Sequence, residues 1–170
     1  MKSSPIMLLQ TLIEKIQVEI NPEFEGKKGQ SEFGESVELQ VRQQCEPYSD
    51  YWDEETPPVI SGIENRTYSV TLGIRTDPEV KARGPYSFEL VFTGVVACVP
   101  EMIGDLPPQV AAQQYGYAMV YGAMREQFIT LTSRMGHGGR LLPTVSFMDS
   151  GLPEKQGGPE DEASPSRISH

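Results

Sequence analysis

The chain is poor in several residue types, and each shortage removes a class of protein. Of its 170 residues, two are cysteine, two histidine and one tryptophan. Cys45 and Cys98 cannot build a disulfide framework or a Cys/His zinc set, so free, buried thiols in a reducing compartment are expected. Positive charge is also scarce: 14 Lys and Arg stand against 24 Asp and Glu, a net −10. Binding a phosphate backbone needs a Lys/Arg surface, so a nucleic-acid binder is not expected. The balance suits solubility or a basic partner. No apolar run approaches the length that spans a bilayer, so no membrane insertion is expected. The opening MKSSPIMLLQTLIEKIQ is soon broken by Glu14 and Lys15, which makes a poor signal peptide. A cytoplasmic protein is the simplest expectation. The GHGG around His137 lacks the lysine of a phosphate loop and has no nucleophile partner, so it reads as a turn. No cofactor or metal is expected.

What remains is a modest hydrophobic content of 38%, with 16 glycines and 14 prolines to punctuate it. Alternation of apolar and polar residues predicts four strands. In 12–20 (LIEKIQVEI), Ile16, Val18 and Ile20 share a face. In 37–45, Val37, Leu39 and Val41 point inward. The third strand is 67–77, with Tyr68, Val70, Leu72 and Ile74 on one face. The fourth is 86–99, where Phe88, Leu90 and Phe92 alternate until Gly94 opens the continuous run VVACV. A glycine there marks a bulge or a tight crossing. Residues 23–36 form a long polar connection carrying Phe24 and Phe33. The stretch after Cys45 is an acidic, aromatic loop with Tyr48, Tyr51 and Trp52.

After the strands comes one long helix over 115–136, with Asp105 as its N-cap and a glycine cluster at its end. Its apolar residues occupy two stripes. One runs Tyr117, Tyr121, Met124, Phe128, Leu131, Met135; the other runs Tyr115, Ala118, Met119, Gly122, Ile129, Thr132. A surface helix shows one stripe. Two stripes mean either a central core helix or a helix that meets its own sheet on one side and a second chain on the other. Four strands and a helix bury too little to enclose such a rod, which favours a partner chain. Grouped strands before a helix predict an α+β fold: an antiparallel four-stranded sheet, with the helix on one face and in an oligomer interface. The last twenty residues, GLPEKQGGPEDEASPSRISH, are expected to be a disordered tail after a domain spanning 1–149.

The order of elements resembles the SecB family of protein-export chaperones. PYSFELVFTGVVAC, a short linker and VYGAMREQFITLTSRMGHGGRLLPTVSFMD carry the resemblance, through Phe88, Glu89, Gly94, Arg125, Glu126, Gly136, Leu142, Pro143 and Phe147. It covers roughly residues 67–149 well. It implies a homotetramer built as a dimer of dimers. It also implies a holding chaperone that binds unfolded precursors without nucleotide and passes them to the SecA motor. Divergent relatives protect the antitoxin of a toxin–antitoxin system instead. The sequence departs from the family where a second helix is expected: FMDSGLPEKQGGPEDE is broken by Gly151, Pro153, Gly157 and Gly158, so that helix is short or absent. Tyr121-Gly122-Ala123-Met124 also departs from the usual helix motif.

The candidate sites follow. Phe24, Phe33, Tyr48, Tyr51 and Trp52 are candidate client contacts, or rings folded back as local core. Glu19 and Glu89 match the acidic face that engages SecA in the family, or are ordinary solvated strand residues; Lys15 falls where that face would carry an acid. Tyr117, Tyr121, Met124, Arg125, Glu126 and Phe128 are candidates for the oligomer interface. Arg125 and Glu126, as helix neighbours, point about 100° apart and do not form a catalytic pair. No catalytic residue is assigned. Two rival readings stay open: a hot-dog thioesterase, whose central helix comes early among the strands, and an oligomeric adaptor without holding activity.

Overall fold

The computed structural model describes residues 4–22, 24, 39–52, 55, 58, 62–76 and 84–148. Phe33, Val37 and the expected tail lie outside the described residues. Four strands come first: β1 (Ile6–Ile20), β2 (Leu39–Pro47), β3 (Thr67–Thr76) and β4 (Tyr86–Cys98). They form one antiparallel sheet in the order β1-β4-β3-β2. A continuous helical rod follows, made of α1 (Pro108–Ala111), one π-helical turn (Ala112–Gly116) and α2 (Tyr117–Thr132). The α+β architecture with all strands before the helix is the one the sequence predicts.

The central strands are the most legible. Tyr68, Val70, Leu72 and Ile74 of β3 and Phe88, Leu90 and Phe92 of β4 are buried beneath the helix, in one cluster with Tyr117, Val120, Tyr121, Met124 and Phe128. Residues directly opposed across an antiparallel ladder share a face. Ile16, Val18 and Ile20 therefore point to the helix side, opposite Leu90, Phe88 and Tyr86.

β1 begins six residues earlier than the alternation suggests. The register against β4 slips between Leu8 and Gln10 and again between Ile13 and Lys15. Each slip is a bulge that adds one residue and reverses the phase of the alternation. Counted across both bulges, Ile6, Leu8, Thr11, Ile13, Ile16, Val18 and Ile20 all fall on the helix side. A strict period of two hides this pattern, so only its last third was readable.

Three further expectations are corrected. Val41 lies on the helix side of β2, opposite Ile74, but remains 49% exposed, because β2 is an edge strand that the rod does not cover there. The helix starts at Pro108 and ends at Thr132, not over 115–136. Asp105 is not its cap: Pro107 occupies that position, no side chain caps it, and Asp105 is exposed. Proline suits the first helical turn because its missing N–H has no partner to lose there, and the Pro107 carbonyl accepts from the Ala111 N–H at 3.0 Å.

Two glycines set how closely rod and sheet approach. A Cβ on Gly94 would lie 2.6 Å from Val120 Cγ2 and 3.3 Å from Leu8 Cδ1. A Cβ on Gly116 would lie 3.1 Å from Val70 Cγ2. Gly94 therefore marks a tight crossing, and the bulges belong to its neighbour β1. The thiols are held in the same layer. Cys98 donates to the Pro108 carbonyl, with Sγ 3.2 Å from the oxygen, and so ties β4 to the start of the rod. Burial raises Cys45 from 9.0 to about 12, helped by negative charge at Cys98 and Glu46. Burial also raises Cys98, to about 11, against an opposing pull from Arg66. It raises Tyr117 from 10.0 to about 12.

Two predictions follow from this layer. Gly94→Ala forces Val120 or the strand to move, and denaturant melts are expected to show a loss of about 1–3 kcal/mol; an unchanged midpoint would refute the close crossing. The second concerns pH. All three acids ionise more easily in the unfolded chain, so the stability they contribute is complete below about pH 9 and is lost as pH rises towards 11 and 12. Melting temperature is expected to decline across that window, and less steeply in a Cys45→Ala, Cys98→Ala variant. Equal slopes would show that the thiols are not buried.

Candidate client-binding and partner surfaces

The first stripe of the rod is spent inside the subunit. Tyr117, Tyr121, Met124 and Phe128 are each 5% exposed or less and pack on the chain's own sheet. Phe128 and Phe88 stack with ring centres 4.8 Å apart. Beyond the helix the chain doubles back along the rod. Phe147 is buried against Tyr117 and Tyr121, at 5.8 and 5.7 Å between ring centres. The Tyr121 hydroxyl donates to the Pro143 carbonyl at 2.6 Å, and Leu142 is buried between. The segment that closes the family-like motif is thus a strap that covers the flank of the first stripe.

The second stripe is only partly covered: Thr132 is buried, and Tyr115 and Met119 pack in part against the core. Ala118 and Gly122 are exposed, while Tyr115, Met119, Ala123 and Ile129 are half-buried. A Cβ on Gly122 would meet nothing within 4 Å. Arg125 stands at the edge of this face. Its Nε is shut away from solvent without a hydrogen-bond partner among the described residues, and its charge opposes the rise that burial imposes on the Tyr121 hydroxyl. Glu126 is exposed. Of the six residues assigned to an oligomer interface, Glu126 lies in the middle of the uncovered side, Arg125 at its edge, and the other four form the subunit's own core.

The aromatic candidates do not form one site. Trp52 donates its indole N–H to Thr67 Oγ1 at 2.8 Å, and Thr67 in turn donates to the Ile63 carbonyl at 2.9 Å. Tyr51 stands edge-on to Trp52 at 5.0 Å, with Tyr48 beyond it at 6.4 Å. Ile63, Thr67, Val95 and Ala97 are buried yet stand apart from the main core. The loop after β2 has therefore folded over one end of the opposite sheet face and built a small second core. Trp52 and Tyr51 are half-buried there and Tyr48 is 40% exposed.

Phe24 lies at the other end of the sheet. Its ring meets His137 edge-on at 5.6 Å, and His137 meets Tyr86 at 5.8 Å. His137 Nε2 lies 2.9 Å from the Asn21 carbonyl and fits a donor there. The Tyr86 hydroxyl donates to the Gly138 carbonyl at 2.9 Å and accepts from the His137 backbone N–H at 3.2 Å. The glycine turn after α2 is thereby pinned to the ends of β1 and β4. At 3.4 Å per residue, the Tyr86 and Ala97 ends of β4 are about 37 Å apart, so Phe24 and Trp52 cannot grip the same short segment.

Glu19 and Glu89 both lie on the sheet face away from the rod, opposite Ser87 and Gln17 respectively. Glu89 is paired with Lys15 in an ion pair. The hydrogen bond from Lys15, with the charges of Lys15 and Arg75, holds its carboxyl below the usual range. The sequence reading named Leu142, Pro143 and Phe147 as motif positions and His137 as a turn, but not the strap and the His137–Tyr86 pin they form, nor Arg42 and Arg75 on the open face. Only alternation on β2 and β3 could have placed the two arginines.

No helix among the described residues is long and apolar enough to cross a membrane, and no group of three or more His, Cys, Asp or Glu side chains there is placed to hold a metal. No family model and no curated protein matches the chain. Several solved structures are similar to it, two of them as follows. One is the SecB-like chaperone Rv1957 of Mycobacterium tuberculosis, in complex with a ChAD peptide from the Rv1956 HigA1 antitoxin. It is 12% identical, with a TM-score of 0.48, over 84% of this chain and 88% of that one. The other is a protein of unknown function from Streptococcus agalactiae, 11% identical, with a TM-score of 0.42, over 82% of this chain and 97% of that one.

Proposed function

We propose that this chain is the subunit of an oligomeric holding chaperone that binds unfolded polypeptide segments without nucleotide. The observation that carries the reading is the second stripe of the rod. A helix that has already buried one face on its own sheet still offers Met119, Ala123 and Ile129 to a neighbour, around an exposed Gly122 that allows close approach. Met119 and Ile129 are already half-buried, so completing their cover is worth less than the value for a fully exposed side chain, about 1.5–3 kcal/mol. The resemblance in the sequence supports assembly as a dimer of dimers.

Holding requires apolar surface that remains after assembly. Leu8, Leu12, Ile13 and Ile20 along β1, Val41 on β2 and Tyr48 in the loop are all at least 40% exposed. Such side chains take up client residues with little sequence preference. Phe24 at one end of the sheet and Tyr48, Tyr51 and Trp52 at the other are proposed as client contacts at two separate stations, and Phe33 is proposed from the sequence alone. The element order, with four strands before the helix, suits this reading better than a hot-dog thioesterase.

A dedicated client, such as an antitoxin, is favoured over delivery to SecA. The specific ground is Glu89: Lys15 and Arg75 compensate its charge, which leaves Glu19 alone of the two acids that the resemblance assigns to the motor.

The test is direct. Diluting a denatured client into a stoichiometric amount of the protein is expected to suppress light scattering without ATP, and sedimentation is expected to give a dimer or tetramer at low micromolar concentration. Met119→Glu is expected to keep its circular dichroism and sediment as a monomer. A compact wild-type monomer would sink the assembly claim, and absent suppression would sink holding. Glu89→Lys is expected to leave any retention on SecA unchanged.

A further inference from the structure

The rod and the strap that returns along it are the cationic part of an acidic chain. Residues 108–148 hold three arginines, Arg125, Arg134 and Arg140, and a single acid, Glu126, which leaves 11 of the 14 basic residues and 23 of the 24 acidic ones to the rest. Two of these arginines are placed unusually. Arg140 is only 8% exposed, and its Nε is shut away from solvent without a hydrogen-bond partner. Arg125 is half-buried, with its Nε in the same state. Neither guanidinium has an ion pair among the described residues. Glu126 is exposed and points about 100° away from Arg125 around the helix. A charged donor taken out of water without an acceptor is costly, and such groups are ordinarily paired.

The two arginines belong to one side of the rod. The Arg140 backbone N–H donates to Thr132 Oγ1 at 2.9 Å. Thr132 is close to two full turns beyond Arg125, so the two positions share a side and stand about 10.5 Å apart along the axis. Tyr121, one turn before Arg125, holds the strap through the Pro143 carbonyl, and Phe147 packs on Tyr117 and Tyr121. The strap therefore passes Arg125 on its way from Arg140 to Phe147. The sequence that follows carries what both arginines lack: three successive carboxylates, Glu160, Asp161 and Glu162. From Met148 to Glu160 an extended chain spans up to about 40 Å, against about 24 Å for the length of α2, so the run has slack to reach either arginine.

We propose that the acidic run Glu160–Glu162 docks on the strap side of the rod, with its carboxylates paired to the guanidinium groups of Arg125 and Arg140. Arginine's planar fork meets carboxylates bidentately. Docked there, the run lies beside the outer stripe, where Ala118 and Gly122 are exposed. The tether raises its effective concentration to the millimolar range, and the attraction is screened by salt. Nothing in this inference needs the holding function.

A fluorescent peptide of residues 151–170, followed by anisotropy, tests the proposal against two full-length proteins. One is the wild type. The other carries Glu160→Gln, Asp161→Asn and Glu162→Gln, so that its own run cannot fill the site. The peptide is expected to bind this variant saturably and more weakly as salt is added. It is expected to bind the wild type at least about tenfold more weakly, because the tethered run competes. A peptide with the same three substitutions is not expected to saturate. Arg140→Gln or Arg125→Gln, added to the variant, is expected to reduce affinity at least about tenfold. Circular dichroism checks each fold, and the half-buried Arg125 carries the test if Arg140→Gln does not fold. Failure to saturate, equal binding of the neutral peptide, or indifference to the arginine substitutions would overturn the proposal. Equal affinity for wild type and variant would show a site open to acids from outside and would overturn it too. Wild-type protein that suppresses no client scattering, while these differences stand, would defeat the holding function and leave the docking in place.

Discussion

The close seat of the helical rod on β3 and β4 is the constraint from which the rest of the molecule follows. Gly94 and Gly116 remove the two side-chain roots that would hold the layers apart, and Val120 and Val70 occupy the space. At this separation Tyr117, Tyr121, Met124 and Phe128 reach the sheet and are buried completely enough to form the core. Interiors are packed densely enough that a single extra carbon at such a point must displace something. The π-helical turn lies in the same stretch as Gly116, where the rod passes nearest to Val70. A tight seat on one side means that the rod's other side stands proud of the subunit.

The edges of the layer are then fastened by polar groups. Tyr86 and His137 hold the turn after α2 to the ends of β1 and β4, and Tyr121 holds the strap through the Pro143 carbonyl. Buried hydroxyls with a carbonyl partner cost little to desolvate, so these bonds locate the chain while apolar packing supplies most of the stability. At the far end Trp52 and Thr67 do the same for the loop after β2. The two faces of the sheet are consequently unlike: one is dry beneath the rod, and the other is mostly polar, with Leu12 and Val91 among its charges and the loop over Val95 and Ala97 at one end.

This division separates two kinds of surface. Apolar edges and the outer stripe of the rod are surfaces that cover would stabilise through a non-directional hydrophobic effect. On the open face the charges of both signs are mixed, and the geometry of the ladder decides which groups meet. Lys15 lies beside Glu89 because Gln17 pairs with Glu89 and Lys15 with Val91, neighbouring rungs on one face. An acid that looks free in the sequence is therefore compensated, while Arg42, with Gly73 as its cross-strand neighbour, is not.

What the sequence by itself determined is whatever depends on neighbours a few residues away. Alternation in β3 and β4 and the two stripes of the rod are local periodicities, each visible because the pattern keeps one phase over its whole length. The phase of β1 was legible only from Ile16 to Ile20, since two bulges reset it and a bulge is defined by the partner strand. The tertiary structure alone decided which stripe is spent on the chain's own sheet, that Gly94 is a crossing and not a bulge, and that Phe24 and Trp52 stand at opposite ends. It also decided that Lys15 neutralises Glu89. Those facts rest on contacts between residues dozens of positions apart, and a linear pattern carries no record of how far one strand slides against the next.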